Sequence, residues 1–326
     1  MKKLRDMLPA LVIAAGLLVL FYPTISNILI MRNASRAVDN YDAAVEAMSD
    51  EQYAAVLQAA HDYNARLALQ AAGGTTDALA GAVDTAASDE EYRSILDIDG
   101  HGMMGYITVP RLKETMPLYH GTEEKVLQVG IGHLEGTSLP VGGESTHTAV
   151  SGHRGLPTAK LFTDLDQMRP GDRFYFRIFR ETYAYEVDGI STVLPTDTTS
   201  LSIAAGQDQA TLITCTPYAV NTHRLLVHAH RVPYTPEQQE DARPTFRVDI
   251  PLQYLLPSIG LIALLVGWKA WRRRDVRRTT DAVAERVVAE VTGTRGAAAD
   301  GGASRGATRG PMRDERKGQD DHGSHA

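Results

Sequence analysis

The chain contains one cysteine, Cys215, which lies nine residues before Arg224 in the stretch TLITCTPYAVNTHRLL. A guanidinium near a thiol favours the thiolate and can donate hydrogen bonds to a carbonyl oxygen that gains negative charge during attack. A single cysteine cannot form an internal disulfide. Cys215 is therefore either a nucleophile assisted by Arg224 or a small, buried and inert apolar side chain, which is the usual role of a free cysteine.

A nucleophilic cysteine also needs a proton carrier for the leaving group, and histidine is the most common one. Of the 11 histidines, His153 is distinguished by its position in THTAVSGHRGLPTAKLF, where it follows a predicted strand and lies between Gly152 and Gly155. Functional side chains are often found where a strand ends in a loop. We interpret His153 as the candidate proton donor.

His228 and His230 stand two residues apart on the predicted face of Arg224. Two such histidines can chelate zinc, but a structural zinc site usually has four ligands, and the chain has no cysteine pair. We therefore predict solvated strand histidines, no metal and no cofactor.

Short strands must position these residues. Six segments are rich in β-branched and aromatic residues and are bounded by Gly, Pro or Asp: 104–110, 146–152, 173–179, 183–190, 210–215 and 223–232. One helix is predicted over 159–168, capped by Thr158, before a turn at 170–172. The pattern predicts a mostly β fold, a compact and mainly antiparallel barrel or sandwich.

The last two of these segments would bring the candidates together. If they are neighbouring strands, Cys215 and Arg224 lie at the same end of the pair. Alternation then gives two faces, one with Arg224, Leu226, His228 and His230 and the other with Leu225, Val227 and Ala229.

Apolar runs near both ends predict two membrane helices. Lys2, Lys3 and Arg5 precede the first run, which extends to residue 30, and five arginines follow the second, at 252–271. Under the positive-inside rule both termini are cytosolic and residues 31–250 lie outside the cell membrane. The alternatives are a cleaved signal peptide and a buried core helix. A net charge of −7 argues against nucleic acid as the main partner.

Composition divides the chain further. We expect a cytosolic start and anchor at 1–30, a helical segment at 31–100 with a loop at 73–88, and the β domain at 101–234. A linker at 235–251 leads to the second membrane helix at 252–271. The tail, 272–326, begins basic, has a charged helix at 279–292 and ends in a stretch too polar to fold.

Several long motifs occur in order: YPTISN, then YHGTEEKVLQVGIGHLEGTSLPVGG, SGHRGLPTAKLFTDLD, TLITCTPY and NTHRLLV. Together they resemble the sortases, in particular class C, the pilin-polymerising branch, over about residues 105–231. The resemblance implies a closed sortase-type β-barrel with a helical N-terminal segment, flanked here by two transmembrane helices. It places the family's nucleophile at Cys215, its histidine at His153 and its arginine at Arg224.

The chemistry implied by the resemblance is transpeptidation at the cell surface of a Gram-positive bacterium. Cys215 would cleave an LPXTG-type sorting signal between Thr and Gly, forming a thioester, and a lysine amine of a pilin subunit would resolve it. The alternatives are a housekeeping sortase that anchors proteins to peptidoglycan, an enzyme that mainly hydrolyses, and a non-enzymatic membrane-anchored binding module.

Class C sortases usually carry a lid with an Asp-Pro-aromatic motif that covers the site. The best match in this chain is Asp77-Ala78-Leu79, which has neither the proline nor the aromatic ring. Either Asp77 still pairs with Arg224 under a looser lid, with Leu79 in the place of the aromatic residue, or the loop is only a linker. We expect modest autoinhibition through Asp77.

Overall fold

A computed structural model describes residues 2–72, 86–98, 100–156, 159–246 and 252–297. The chain divides into one compact unit over Met1–Ser258 and a second over Ile259–Ala326. The α-helices are α1 (Lys2–Ala47), α2 (Asp50–Ala72), α3 (Ala86–Ser94), α4 (Glu124–Leu127) and α5 (Leu252–Ala297). Short 3₁₀ helices lie at Leu165–Gln167, Thr199–Leu201 and Pro236–Gln238.

Eight strands form a closed barrel in the order β1-β2-β3-β4-β7-β8-β6-β5. They are β1 (Met103–Val109), β2 (Glu114–His120), β3 (Ile131–His133), β4 (Thr146–Ser151), β5 (Arg173–Ile178), β6 (Glu181–Val193), β7 (Asp208–Thr216) and β8 (His223–Val232). The β2–β3 and β4–β7 pairs are parallel and the other six are antiparallel. The predicted barrel is confirmed.

Strands β2 and β3 were not predicted from the sequence. β2 contains Pro117, which weakens a strand pattern because proline cannot donate to the ladder. β3 has only three residues, too few to show a period. In the barrel, these two strands lie between β1 and β4. The strands predicted from the sequence would therefore not have closed the barrel.

The predicted alternation along β8 is confirmed. Leu225, Val227 and Ala229 belong to the main core, whereas Leu226 packs in a second cluster with Ala149, Leu201 and Ile213. This second cluster lies under the candidate site.

The helical N-terminal segment packs on the barrel. Tyr41 of α1 is 2% exposed, its hydroxyl donates to the Met104 carbonyl oxygen at 2.8 Å, and the Phe179 amide donates to it at 2.8 Å. On α2, the buried Asn64 side chain donates to the Leu139 carbonyl oxygen (3.0 Å) and accepts from the Leu139 amide (2.7 Å). Because a buried amide costs free energy unless it is paired, these reciprocal bonds fix α2 to one place on the barrel.

The helix predicted over 159–168 is wrong. The segment consists of turns that end in the 3₁₀ helix, and Leu161 has a left-handed φ of 39°. A hydrogen bond to another part of the fold takes the place of a helical hydrogen bond here, because the Lys160 amide donates to Asn27 Oδ1 of α1 at 3.2 Å. Its apolar residues are nevertheless buried, as a helix would have predicted: Ala159, Leu161, Phe162, Leu165 and Met168. Thr158, the proposed cap, lies outside the described residues.

The predicted loop at 73–88 is too long at its C-terminal end, because α3 begins at Ala86. The remainder of the loop, including Asp77 and Leu79, lies outside the described residues.

Among the described residues, one helix is long and apolar enough to cross a membrane, the Leu11–Ala47 part of α1. It contains an 18-residue stretch that has a mean hydropathy of 2.0 and is unburied. The second predicted span is helical, as part of α5, and its crossing of a membrane stays a prediction. The predicted segments at 252–271 and 279–292 are not separate helices, because α5 continues through the arginines between them.

Acidification is expected to destabilise the barrel through His133. This side chain is 0% exposed, its Nε2 donates to the Ser138 carbonyl oxygen at 2.9 Å, and burial lowers its pKa from 6.5 to about 4. The unfolded chain therefore binds more protons between these two values, and stability is lost as pH falls through them. We expect a loss of about 3 kcal/mol from this residue.

The measurement is urea unfolding of the full-length protein in detergent at several pH values between 7 and 4, compared with His133→Gln. The variant lacks this titration and should show a shallower loss of unfolding free energy with acidification. Because carboxylates titrate equally in both proteins, parallel pH dependences would contradict the prediction.

Candidate active site

Cys215 and Arg224 face each other across the β7–β8 ladder. They are register partners near the end of the antiparallel pair, beside Thr216 and His223, before the chain turns through residues 217–222. The two candidates therefore lie at the same end of neighbouring strands, as predicted.

β4 brings His153 to the same place from the other side. β4 runs parallel to β7, with Ser151 opposite Ile213 at the last paired position. Beyond it, the Gly152 amide donates to the Ile213 carbonyl oxygen at 3.0 Å, and Thr214 Oγ1 donates to the Gly152 carbonyl oxygen at 2.8 Å. His153 follows directly, so it is held beside the strand that carries Cys215.

The glycines around His153 leave room for neighbouring side chains of the protein itself. A Cβ at Gly152 would lie 2.7 Å from the Phe162 ring, and one at Gly155 would lie 2.8 Å from the Tyr218 ring. Gly155 also has a φ of 77°, which disfavours other residues. The loop that follows β4 therefore packs tightly against the 217–222 connection through Tyr218 and against Phe162.

All three candidates line one cavity of about 340 Å³. Its apolar lining comes from strands β6, β7 and β8, α4 and the connections beside them: Leu127, Leu134, Val193, Pro195, Leu201, Ile213 and Leu226. Thr122, Ser151, Asp197 and Thr198 add polar groups. Such a mainly apolar cleft with a few polar groups suits a short peptide with apolar side chains.

Most of this lining could not be predicted from the sequence. Leu226 could have been found, since alternation placed it on the face of Arg224. Nothing in the sequence of residues 193–201 indicated that they form a wall of the cavity. They follow the end of β6, and their shape depends on contacts with strands that are distant in sequence.

Arg224 turns part of its guanidinium toward its own loop. Its Nη1 donates to the carbonyl oxygens of His223 (3.2 Å) and Asn221 (3.4 Å). In the described part of the chain, these are the hydrogen bonds that the side chain makes. Because a guanidinium has five N–H donors, Nε and Nη2 remain able to bind a carbonyl oxygen in the cavity.

Glu124, at the start of α4, lies beside His153. Its Oε2 is 3.4 Å from His153 Nε2, a nitrogen that is buried and has no hydrogen-bond partner among the described residues. A carboxylate at this distance can form an ion pair with the imidazole when the ring carries the proton that a leaving amine needs. The signal for Glu124 was present in the motif YHGTEEKV, but the sequence did not indicate which acidic residue would meet His153.

Of the two β8 histidines predicted to be solvated, His230 agrees with the prediction and His228 does not. His230 is exposed and pairs with Asp188 at 3.0 Å, but His228 is half-buried and contacts the hydroxyls of Ser191 (2.8 Å) and Thr211 (3.1 Å). The described residues contain no group of three or more ligand-type side chains that could hold a metal ion.

Thr211 connects His228 to His147, whose Nε2 lies 2.8 Å from Thr211 Oγ1. His147 Nδ1 donates to the Ser202 carbonyl oxygen at 3.0 Å, next to the 3₁₀ helix that forms part of the cavity wall. Burial lowers the pKa of both histidines, which are therefore neutral donors and acceptors at pH 7. This chain of hydrogen bonds supports the wall from behind.

The model of the Sortase domain family matches residues 107–232. Sortase C1 from Streptococcus agalactiae is 47% identical, with a TM-score of 0.57 over 61% of this chain and 100% of that chain. Sortase C from Streptococcus pneumoniae is 41% identical, with a TM-score of 0.54 over 61% of this chain and 98% of that chain.

Curated relatives match a shorter part. Sortase A from Bacillus anthracis is 29% identical over 130 residues, and Sortase A from Staphylococcus aureus is 33% identical over 129 residues. These matches cover 40% and 38% of this chain, and 60% of the length of each relative. The chain belongs to the sortase family of transpeptidases, and class C sortases are its structural relatives.

Proposed function

We propose that this protein is a membrane-anchored cysteine transpeptidase of class C type, which cleaves LPXTG-type sorting signals and joins the product to a lysine amine of a pilin subunit. The observation that carries the proposal is the meeting of His153, Cys215 and Arg224 at one peptide-sized cavity. Cys215 is partly exposed there, which argues against an inert cysteine in a binding module.

In the first half-reaction, the Cys215 thiolate attacks the carbonyl carbon of the signal's threonine. Arg224 donates to the oxygen that becomes negative, and its charge opposes the cost of that intermediate. The C–N bond to glycine then breaks, His153 gives its proton to the departing amine, and a thioester remains on Cys215.

In the second half-reaction, the uncharged amine of a lysine attacks the thioester carbon. His153, now neutral, takes the proton from that amine, an amide bond forms and the Cys215 thiolate leaves. His153 thus alternates between acid and base, and one turnover restores both groups. Glu124 lies close enough to serve as an ion-pair partner of the His153 imidazolium at the start of the cycle.

Three observations favour a pilin polymerase over an enzyme that anchors proteins to peptidoglycan. Solved structures of sortases C are among those that this chain resembles, and work on the one from S. pneumoniae bears on pilin substrate specificity. The resemblance extends beyond the barrel, since it covers 61% of the chain. The helical N-terminal segment packs on the barrel through Tyr41 and Asn64.

A lid is part of the proposal. A lid mutant of sortase C1 from S. agalactiae is among the structures similar to this chain. In the present protein, the corresponding role would belong to Asp77 and Leu79, in the connection between α2 and α3. Asp77 would pair with the guanidinium of Arg224 and weakly compete with substrate.

For the anchor, α1 supplies a long apolar stretch that the barrel leaves uncovered. We further propose a second crossing by α5, with the catalytic domain on the extracellular side and both termini in the cytosol. The arginines after the apolar part of α5 support this orientation.

The deciding experiment is product analysis with the full-length protein in detergent. An LPXTG peptide is incubated with equal amounts of a pilin-derived lysine peptide and an amine that mimics a cell-wall precursor, and mass spectrometry quantifies each product. We expect the lysine-linked product to exceed the other by at least about tenfold, roughly the effect of 1.4 kcal/mol in selectivity. A dominant cell-wall product would identify a housekeeping sortase, and free acid alone would identify a hydrolase.

A further inference from the structure

Arg154, the residue after His153, has an almost fully buried side chain, only 9% exposed. Its Nη1 donates to Thr216 Oγ1 at 2.9 Å, and its Nη2 forms an ion pair with the Asp166 carboxylate of the 3₁₀ helix. Thr216 is the residue after Cys215. The guanidinium therefore connects the immediate neighbour of the candidate proton donor to the immediate neighbour of the candidate nucleophile.

This contact extends the parallel register of β4 and β7 beyond the end of the ladder. Thr146 is paired with Asp208 and Ser151 with Ile213, a constant offset of 62 residues. The contacts from Gly152 to Thr214 and from Arg154 to Thr216 have the same offset of 62. His153 and Cys215 occupy the position between these two contacts.

The two contacts hold His153 from both sides. Before it, the Gly152 backbone bonds to the β7 strand at Ile213 and Thr214. After it, regular pairing has ended, and the following Gly155 amide donates to Thr163 Oγ1 at 3.1 Å, away from β7. In the described structure, the side chain of Arg154 makes the hydrogen bond that returns this loop to the cysteine strand.

We propose that Arg154 is a positioning residue, which keeps the imidazole of His153 in register with the thiol of Cys215 by binding Thr216, while Asp166 fixes the guanidinium. This inference rests on the proposed function for its kinetic consequence. Misplacement of a reacting group by about 1 Å can cost about 100-fold in rate. Loss of the contact should therefore lower kcat and leave KM nearly unchanged, because Arg154 does not line the cavity.

The test compares Thr216→Val, which keeps the shape and removes the hydroxyl, with Thr216→Ser, which keeps the hydroxyl. With the full-length protein and an LPXTG peptide, we expect Thr216→Val to lower the kcat of acylation about 10- to 100-fold with KM within about twofold. Thr216→Ser should stay within about threefold of wild type. Arg154→Gln should lower kcat at least as much as Thr216→Val, because it also removes the ion pair with Asp166. The double variant should lose no more than Arg154→Gln alone, since both substitutions remove the same Arg154–Thr216 hydrogen bond.

Hydrogen exchange gives a readout that requires no substrate. Peptides covering residues 151–156 should exchange faster in Thr216→Val than in Thr216→Ser, while the rest of the barrel is unchanged. Independent, multiplying effects of the two single variants, or equal exchange in both Thr216 variants, would overturn the role of Arg154. If wild-type protein forms no acyl adduct, the proposed function fails, and the exchange comparison still decides the positioning role.

Discussion

Replacement of Cys215 with alanine is expected to abolish the covalent adduct with an LPXTG peptide and to lower turnover by at least about 10⁴-fold. The variant has no nucleophile, and the remaining groups can only bind the peptide. Mass spectrometry of the full-length protein after incubation with the peptide measures the adduct directly. In wild type, a lysine amine should release it.

The matched control is thermal unfolding of the same two proteins. Cys215 is only partly buried at a cavity wall, so removal of one sulfur should change the melting temperature little. An adduct that persists in Cys215→Ala would place the acyl group on another residue. A wild-type protein whose thiol reacts with an alkylating reagent but not with the peptide would show that the peptide is the wrong substrate.

The second large effect is expected for Arg224→Lys, which should lower the kcat of acylation by about 10²- to 10³-fold, the usual cost of losing one donor to a developing oxyanion. Lysine keeps the positive charge but has no planar fork, so it cannot bind the loop carbonyls of Asn221 and His223 and a substrate oxygen at the same time. Steady-state kinetics with the LPXTG peptide measure the effect.

Two controls separate this effect from a general change in charge or folding. Arg243→Lys alters an exposed arginine that pairs with Glu240, and it should leave activity unchanged. The alkylation rate of Cys215 should remain within about tenfold of wild type in Arg224→Lys, because the thiol is intact. Full activity of Arg224→Lys would mean that charge alone is sufficient at this position.

Much of the β7–β8 strand pair, which carries Cys215 and Arg224, could be predicted because its sequence signals are local. The alternation of β8 separates Leu225 and Val227 from Arg224 and Leu226, and the short connection after Cys215 makes the two strands neighbours. The alternation follows from the period of a strand, and the pairing follows from the short connection. Neither requires knowledge of the rest of the fold. The motifs around His153 added the third residue through resemblance.

The parallel pairing of β4 with β7 could not be obtained in this way. It joins residues 62 apart, with other strands between them in the sequence, and parallel strands carry no turn that reveals their register. The contact of Glu124 with His153 could not be predicted either, because Glu124 lies on a short helix that is distant from His153 in sequence. The conformation of residues 159–168 also depends on distant contacts. There the apolar spacing is compatible with a helix, but contacts with Asn27 of α1 favour turns.

The single helix α1 both contains the apolar segment and packs on the barrel through Val38, Tyr41 and Val45. No joint separates the two parts, and Asn27 also binds the loop that follows His153. If α1 is the membrane anchor, as proposed, this continuous helix would hold the cleft at one height and one orientation above the bilayer. The cleft could then not move toward or away from the membrane to meet its substrates. Partners that are themselves membrane-bound would meet it by lateral diffusion, a search confined to two dimensions.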